Sequence, residues 1–256
     1  MATISSIWIF PIKSLDGVMV ETASIAPGGS LVGDRRWAIT DHQSKFVNGK
    51  KYPQVQQIRA QFDLTAETVE LTAPNQPTTQ FQIAADNTAL TDWLSNYLGF
   101  ATQLIENTEI GFPDDTTSPG PTIISTATLE SIASWYPDLD VAEVRRRLRT
   151  NIELKGLRAF EEDRLFDRAS FQLGEVQIIG INPCQRCVVP TRDSFTGIPN
   201  KQFQKVFSQQ RSITIPAWTK LSLFSHFYRA AVNTKIPATE VGKLLQPGDI
   251  LQNNSD

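Results

Sequence analysis

Two cysteines lie close together in a short stretch of the chain that also carries positive charge. Cys184 and Cys187 are separated by two residues, one of which is Arg186, and Arg192 follows five residues later. A thiolate is the form of cysteine that binds metals and attacks electrophiles, and a neighbouring guanidinium group stabilises it. The segment therefore predicts a reactive or metal-binding thiol.

Other interpretations of the cysteine pair remain open from these residues alone. A thioredoxin-like dithiol would place the pair at the start of a helix in a βαβ unit, and the sequence shows no such alternation. A tetrahedral zinc site needs four ligands, but His42 and His226 stand at no ligand-like spacing from another candidate. Two inert, buried cysteines are a further possibility, although burial of unpaired guanidinium charge beside them is costly.

The elements that hold the cysteines can be predicted from the apolar pattern and from proline. The apolar run from Val176 to Ile181 indicates a strand. Pro183 and Pro190 cannot donate a hydrogen bond to a sheet. We therefore expect both cysteines on a loop that leaves this strand.

Basic residues stand at three other positions where the backbone is expected to turn or a helix to end. Lys13 and Ser14 follow a predicted strand, where they either meet an anion or are solvated. Arg35 follows a turn and could form a surface ion pair with Asp34. Arg149 lies at the basic end of a predicted helix, where a cation stabilises the helix dipole. These residues alone do not distinguish an anion site from ordinary surface charge.

Short polar residues precede a predicted helix in the second half of the chain. Ser125 and Thr126 come directly before apolar residues at helical spacing, Leu129, Ile132 and Ala133. Serine or threonine at this position caps the helix. The free N–H groups of a helix N-terminus also bind anions, so the same residues could hold a phosphate group.

The cysteine segment resembles the signature of the MOSC-domain family, which binds the molybdenum cofactor and includes the amidoxime-reducing component and its bacterial relatives. By this resemblance Cys187 is the molybdenum ligand and the catalytic residue, and a soft thiolate suits such a metal. The family pattern is PC-x-RC-x-x-x-T-x-D-x-x-TG, and the matching residues are Pro183, Cys184, Arg186, Cys187, Thr191, Asp193, Thr196 and Gly197.

Four more motifs of the family resemble segments of this chain, in the same order. They are P-x-KS, GDR-x-W, the serine-rich S-x-A-S-L and the R-x-N of F-R-P-N. In the last one Leu148 and Thr150 replace phenylalanine and proline, so we expect a less rigid loop. The resemblance implies that the cofactor is bound by Lys13, Ser14, Arg35, Ser125, Thr126, Thr128, Arg149, Asn151 and Arg186.

The rest of the sequence indicates an α+β, mainly β fold. Short apolar runs separated by turns dominate the first half, with one amphipathic helix from Leu90 to Leu98 that Gly99 ends. The polar, proline-rich and glycine-rich segment 106–121 indicates a domain boundary. We expect a β-rich N-terminal domain over residues 1–118 and, by the resemblance, a MOSC β-barrel with flanking helices over residues 119–256.

Three expectations concern the second half. Residues Ser212–Ile215 and Leu221–Phe224 are predicted as strands. The acidic run Glu161–Asp163 is expected on a solvated face, with its last two carboxylates as candidates for proton transfer. His226 stands where the family commonly has F-G-Q, and it is either a packed histidine or one that alters substrate preference or proton delivery.

Composition limits the partners. The chain has 256 residues with 24 Lys and Arg against 27 Asp and Glu, a net charge of −3. This gives no general attraction for nucleic acid, whereas local arginine clusters favour a small anionic ligand. The first residues contain no basic leader and no long apolar run, so we expect no signal peptide, no membrane span and a cytoplasmic location.

The resemblance implies an oxidoreductase that holds a molybdenum–molybdopterin cofactor and reduces the N–O bonds of small N-hydroxylated compounds. The sequence contains no ferredoxin-like cysteine cluster, so we expect electrons from a separate donor protein of the ferredoxin, flavin or cytochrome type. A non-enzymatic carrier of molybdenum cofactor or labile sulfur is the alternative. A zinc or dithiol redox module is a third hypothesis.

Overall fold

The computed structural model describes residues 1–84, 86–167 and 170–253, and it confirms the α+β, mainly β fold class. The helices are α1 (Thr88–Leu98), α2 (Thr126–Ser134), α3 (Val141–Leu148) and α4 (Phe203–Thr214). The strands are β1 (Thr3–Ile9), β2 (Val18–Val20), β3 (Ala23–Ser24), β4 (Trp37–Asp41), β5 (Arg59–Asp63), β6 (Thr68–Thr72), β7 (Thr79–Gln82), β8 (Thr102–Glu106), β9 (Ile123–Ser125), β10 (Ile152–Lys155), β11 (Phe171–Leu173), β12 (Val176–Gln185), β13 (Arg229–Lys235), β14 (Leu244–Leu245) and β15 (Leu251–Asn253).

The largest sheet contains eight strands in the order β15-β11-β12-β13-β9-β10-β1-β2 and curls into a half-barrel. Strands β9 and β10 are parallel, and the other neighbours in this sheet are antiparallel. Because β1 pairs with β10, both halves of the chain build this sheet. Its apolar face buries Ile4, Ile7, Ile152 and Val232 in one core. The division of the chain at residue 118 stays a prediction.

A second core holds the remaining part of the first half together. Strands β5, β6 and β7 form a three-stranded antiparallel sheet, and β4 pairs with β8. The predicted helix α1 packs on this core through Leu90, Leu94 and Leu98, which recur at helical spacing. It ends as expected at Gly99, whose φ of 81° is left-handed and favours glycine.

The third core shows that two strand predictions were wrong. Residues Ser212–Thr214 form the end of α4, and Leu221–Leu223 form one turn of 3-10 helix. Phe203, Phe207 and Arg211 are spaced four residues apart and are all buried on one face of α4. This helical period outweighs the strand preference of the β-branched residues at the end of the segment.

The cysteine segment also differs from the prediction. Strand β12 continues to Gln185, so Cys184 lies in the strand and Cys187 on the loop that follows. The strand tolerates Pro183 because its register with β13 shifts on both sides, between Gly180 and Asn182 and between Pro183 and Gln185. The irregular strand end carries the chain toward the loop of Cys187.

The acidic run is not a solvated face. Glu162 and Asp163 are 1% and 3% exposed, and Asp163 accepts a hydrogen bond from Arg211, which is fully buried. We refer to Glu162, Asp163 and Arg211 as the buried acidic cluster. Arg211 also lies 4.0 Å from the centroid of the Phe160 ring. The ion pair with Asp163 and the cation–π contact with Phe160 offset part of the cost of burying the Arg211 charge.

None of the helices among the described residues is both long enough and apolar enough to cross a membrane.

Candidate functional site

A cleft of about 630 Å³ is lined by residues from both halves of the chain. Nine basic and four acidic side chains line it, although the chain as a whole is acidic. Such an excess of positive charge in a concave site favours an anionic ligand. The cleft brings together seven of the residues that the family resemblance assigned to the site: Lys13, Ser14, Arg35, Arg149, Asn151, Arg186 and Cys187.

Unusual backbone conformations direct three of these side chains. Ser14, Arg35 and Arg149 have φ angles of 77°, 50° and 54°, in the left-handed region that residues with a Cβ seldom occupy. Such a conformation costs about 1 kcal/mol or more and tends to persist at functional sites. Arg149 adopts it because it is the C-cap of α3. The turn that ends the helix therefore places this arginine in the cleft.

Lys13, Arg35 and Arg149 form one basic group in the cleft. The guanidinium carbons of Arg35 and Arg149 lie 5.3 Å and 4.3 Å from the centroid of the Phe10 ring. Burial lowers the pKa of Arg149 to about 10, and the positive charge of Arg35 adds to this effect. Burial also lowers the pKa of Lys13, again with a contribution from both arginines. The group holds like charges together at one end of a buried site.

Two aspartates partly balance this group. Lys13 Nζ donates hydrogen bonds to Phe112 O at 2.8 Å and to Asp114 Oδ1 at 2.7 Å. Desolvation opposes ionisation of Asp114, but the charge and hydrogen bond of Lys13, together with the charges of Arg35 and Lys50, hold the pKa of Asp114 at about 2. Arg35 donates a hydrogen bond to Asp34. Arg149 instead donates to the carbonyl of Leu15, so it keeps its charge uncompensated by a direct ion pair among the described residues.

The two thiols of the cleft have different neighbours. Both cysteines are free and half-buried. Arg186 Nη1 donates to Cys184 Sγ at 3.2 Å, whereas Cys187 Sγ receives a hydrogen bond from Val189 N at 3.4 Å. The guanidinium group between the cysteines therefore contacts the first sulfur, not the second. In the part of the chain that the structure describes, Cys187 Sγ keeps lone pairs available for a metal.

Two donors around the cleft lack partners, which tests whether an anionic, metal-bearing cofactor fits. Arg186 Nε and Arg229 Nε are buried without a hydrogen-bond partner among the described residues. A buried N–H group without a partner costs about 1–3 kcal/mol, so a ligand acceptor is expected near each of them. Soft sulfur and unpaired guanidinium donors in one cleft fit such a cofactor.

Three residues that the resemblance assigned to the cofactor lie outside this cleft. Ser125 caps α2, since its Oγ accepts from Thr128 N at 3.1 Å. Thr128 Oγ1 donates to Glu162 Oε2 at 2.9 Å, and Thr126 Oγ1 donates to Glu153 Oε1 at 2.8 Å. The structure therefore confirms the capping role of Ser125 and shows all three hydroxyl groups engaged in internal hydrogen bonds.

Asn151 lines the cleft but uses its amide to hold the fold. Its Oδ1 accepts from Thr122 N at 3.1 Å, and its Nδ2 donates to Trp8 O at 3.0 Å. The side chain thus connects β1 to the residues before β9 and fixes the loop that carries Arg149. In this arrangement Asn151 positions the site instead of offering free donors to it.

Two titratable residues considered from the sequence also lie away from the cleft lining. Burial and the neighbouring charge of Asp163 raise the pKa of Glu162 to about 7. His226 Nδ1 accepts from Tyr228 N at 3.1 Å, and burial together with the charge of Arg229 lowers the pKa of His226. A role for either in proton delivery stays a prediction.

Five basic residues of the cleft were not predicted as site residues: Lys50, Arg59, Arg146, Arg147 and Arg229. The run of arginines in α3 was visible, but helix-end charge explained it equally well. Arg59 begins β5 in no recognisable motif. Only the fold brings these residues to the cysteine loop.

No group of three or more His, Cys, Asp and Glu side chains within the described ranges is arranged to hold a metal ion. A zinc site built from protein ligands would need such a group. A metal whose other ligands come from a bound cofactor needs only one protein thiolate.

Models of two domain families match the chain. The MOSC N-terminal beta barrel domain matches residues 1–104, and the MOSC domain matches residues 122–248. The half-barrel sheet and the cleft with its cysteine loop are thus the parts of a MOSC-domain protein. The chain belongs to this family, in the form that carries the MOSC N-terminal barrel, as the motifs had suggested.

Curated relatives are similar at low identity. The chain is 24% identical over 243 residues to mitochondrial amidoxime reducing component 2 of Bos taurus, covering 79% of this chain and 70% of that protein. It is 23% identical over 293 residues to molybdenum cofactor sulfurase of Homo sapiens, covering 95% of this chain but 32% of that protein. A solution structure from Bordetella bronchiseptica matches 35% of this chain with 14% identity and a TM-score of 0.26.

Proposed function

We propose that this protein binds the molybdenum cofactor in the cleft, with Cys187 as the metal ligand, and reduces the N–O bonds of N-hydroxylated compounds. The observation that supports this most is that the family's ligand cysteine lies in a cleft with nine basic and four acidic side chains. The similarity to an amidoxime reducing component supports the type of reaction.

The residues of the cleft have separate tasks in this proposal. Lys13, Arg35 and Arg149 would hold the anionic end of the cofactor by charge-assisted hydrogen bonds. Cys187 Sγ would bind the metal, and Arg186 fixes the adjacent sulfur of Cys184. The cofactor, when bound, supplies two-electron redox chemistry that amino-acid side chains cannot supply.

The overall reaction balances with a separate electron donor. The substrate takes up two electrons and two protons, its N–O bond breaks, and the oxygen leaves as water. The electrons would come from a ferredoxin-, flavin- or cytochrome-type protein. The chain itself would bind the substrate, orient its N–O group toward the metal and limit the access of water to the cleft.

The test is to purify the protein after co-expression with the enzymes of cofactor synthesis. We expect elemental analysis to detect molybdenum in the purified protein and oxidation to release a fluorescent pterin. We also expect the protein to reduce benzamidoxime to benzamidine with electrons from an artificial donor. Absence of molybdenum and of pterin would contradict the whole proposal. Bound cofactor without turnover would contradict the reductase activity only.

The similarity to molybdenum cofactor sulfurase supports a second candidate, a carrier that holds the cofactor or labile sulfur for delivery. A carrier should transfer its cofactor to a cofactor-free molybdenum enzyme within minutes and show no reductase activity. Tight retention of the cofactor through such an incubation would count against this alternative.

A further inference from the structure

Two arginines that the proposed cofactor site does not use lie in the same cleft. Arg59 begins β5, and Arg146 is an exposed residue of α3. Their guanidinium carbons lie 5.4 Å and 4.8 Å from the centroid of the Phe195 ring. Phe195 is exposed and belongs to the loop that follows Cys187. Two cations therefore converge on one accessible aromatic ring.

Acidic neighbours balance this pair only in part. Arg59 Nε lies 3.5 Å from Asp16 Oδ2, whereas Arg146 makes no ion pair with any described residue. Glu143 is nearby, but Arg147 Nε already donates to it at 2.6 Å. Burial lowers the pKa of Arg59, and the positive charge of Arg146 contributes to this effect. An anion between the two guanidinium groups would remove the repulsion.

The hydrogen-bonding capacity of Arg59 points the same way. Its Nη2 donates to the Gln56 carbonyl, but Nε and Nη1 are buried and have no hydrogen-bond partner among the described residues. In a planar guanidinium group the Nε–H and Nη1–H groups point in different directions, and each can donate to an oxygen of an anionic group. The side chain therefore keeps donors available for an anion.

The pair lies on the side of the cleft where the cysteine loop is held. Gln56 Nε2 donates to Val189 O at 3.3 Å, and Gln57 Nε2 donates to Thr196 O at 2.7 Å. These bonds attach the residues just before Arg59 to the loop that carries Cys187. A ligand group held by Arg59 is therefore close to the thiol loop.

Asp16 lies near both this pair and the basic group around Lys13. Its Oδ2 is 3.5 Å from Arg59 Nε, and Arg149 donates to the carbonyl of Leu15, the residue before Asp16. In the proposed function Lys13, Arg35 and Arg149 would hold the anionic end of the cofactor, which leaves Arg59 and Arg146 for another anion.

We propose that Arg59, Arg146 and the Phe195 ring form a subsite for an anionic group of the substrate, so that the preferred substrates are N-hydroxylated aromatic compounds that carry a carboxylate. This inference rests on the proposed function. The carboxylate accepts hydrogen bonds from the guanidinium groups, and the substrate ring contacts Phe195. The N-hydroxylated end then extends toward Cys187.

The first test compares benzamidoxime with 4-carboxybenzamidoxime in the wild type, Arg59→Gln and Arg146→Gln. We expect the ratio of kcat/KM for the carboxylate over the neutral compound to fall about ten-fold in each variant, since a charge-assisted hydrogen bond is lost. Arg158→Gln removes the same charge from an 80% exposed side chain outside the cleft and should leave the ratio unchanged. Equal ratios in the wild type and in both cleft variants would overturn the subsite.

The second test needs no turnover. Binding of 4-fluorobenzoate and of neutral 4-fluorobenzamide to the full chain is followed by fluorine NMR, with the same three variants. We expect the benzoate to bind about ten-fold more weakly to Arg59→Gln and Arg146→Gln, and identical benzoate binding in all proteins would overturn the proposal. Arginine-dependent binding without turnover of either amidoxime would contradict the reductase function but retain the anion site.

Discussion

Ionisable side chains gather in two regions of this molecule, the cleft and the buried acidic cluster. In the cleft, basic side chains outnumber acidic ones, and several of their N–H groups have no partner among the described residues. In the cluster, Arg211 is paired with Asp163, and Glu162 accepts a hydrogen bond from Thr128, although Nε and Nη1 of Arg211 and Oε1 of Glu162 also have no partner among the described residues. The difference therefore lies in the balance of charge: an excess of cations in an open cleft favours an anionic ligand, whereas a buried cation paired with a buried carboxylate favours a structural role.

The largest expected effect is on the cluster. Arg211→Leu leaves the Asp163 carboxylate buried without its cation, which should reduce the free energy of unfolding by about 3–5 kcal/mol. Urea denaturation measures this, and the double variant Arg211→Leu with Asp163→Leu should recover part of the loss. If Arg211→Leu were as stable as the wild type, the ion pair of the cluster would not contribute to the stability of the fold.

The next effect concerns pH. The pKa of Glu162 is raised to about 7 from an ordinary value of 4.5, so between these pH values the folded protein holds a proton that the unfolded chain has lost. Stability should therefore fall as pH rises from about 4.5 to about 7, by up to about 3 kcal/mol. Glu162→Gln should remove this decline. Unfolding midpoints between pH 4.5 and 8 check it, and parallel curves for both proteins would contradict it.

In the cleft, removal of a cation should affect the ligand more than the fold. Arg149→Gln should weaken cofactor retention by about ten- to a hundred-fold, because one charged hydrogen bond to the ligand is lost. Cofactor content after dialysis measures this. The matched control is Arg36→Gln, because Arg36 is paired with Glu106 and Glu67 and does not line the cleft, so this variant should retain the cofactor. Equal cofactor retention in the two variants would show that Arg149 does not bind the cofactor.

The smallest expected change in stability concerns Ser125, the N-cap of α2. Ser125→Ala removes a helix cap and should destabilise the protein by about 1 kcal/mol without changing its cofactor content. Thermal unfolding and metal analysis on the same sample provide both numbers. If Ser125→Ala lost most of its molybdenum while its stability changed by only about 1 kcal/mol, Ser125 would contact the cofactor, which would contradict its position outside the cleft lining.

Local patterns made part of the site predictable. Lys13, Arg35, Arg149 and Cys187 stand in ordered motifs, and the fold does bring them to one cleft. The serine and threonine residues at the start of α2 could not be assigned in this way. A short hydroxyl side chain at a helix start suits a cap and an anion equally well, and the hydrogen bonds of Thr128 to Glu162 and of Thr126 to Glu153 arise only in the fold.

Contacts between distant segments could not be predicted from one sequence. Arg211 and Asp163 are 48 residues apart in the sequence, and no motif around either residue indicates that they pair. The convergence of Arg59 and Arg146 on Phe195 likewise depends on three separate elements. The helix α4, in contrast, was detectable, since Phe203, Phe207 and Arg211 follow a four-residue spacing that the β-branched residues near its end obscured.

The measurement that tests the central claim most directly is the molybdenum content of wild type, Cys187→Ala and Cys184→Ala, prepared side by side with cofactor synthesis. Both cysteines line the cleft, so each variant removes one sulfur from it. We expect near-stoichiometric metal in the wild type, most of it retained in Cys184→Ala, and little in Cys187→Ala. Equal metal in Cys187→Ala and the wild type would contradict the assignment of Cys187 as the ligand.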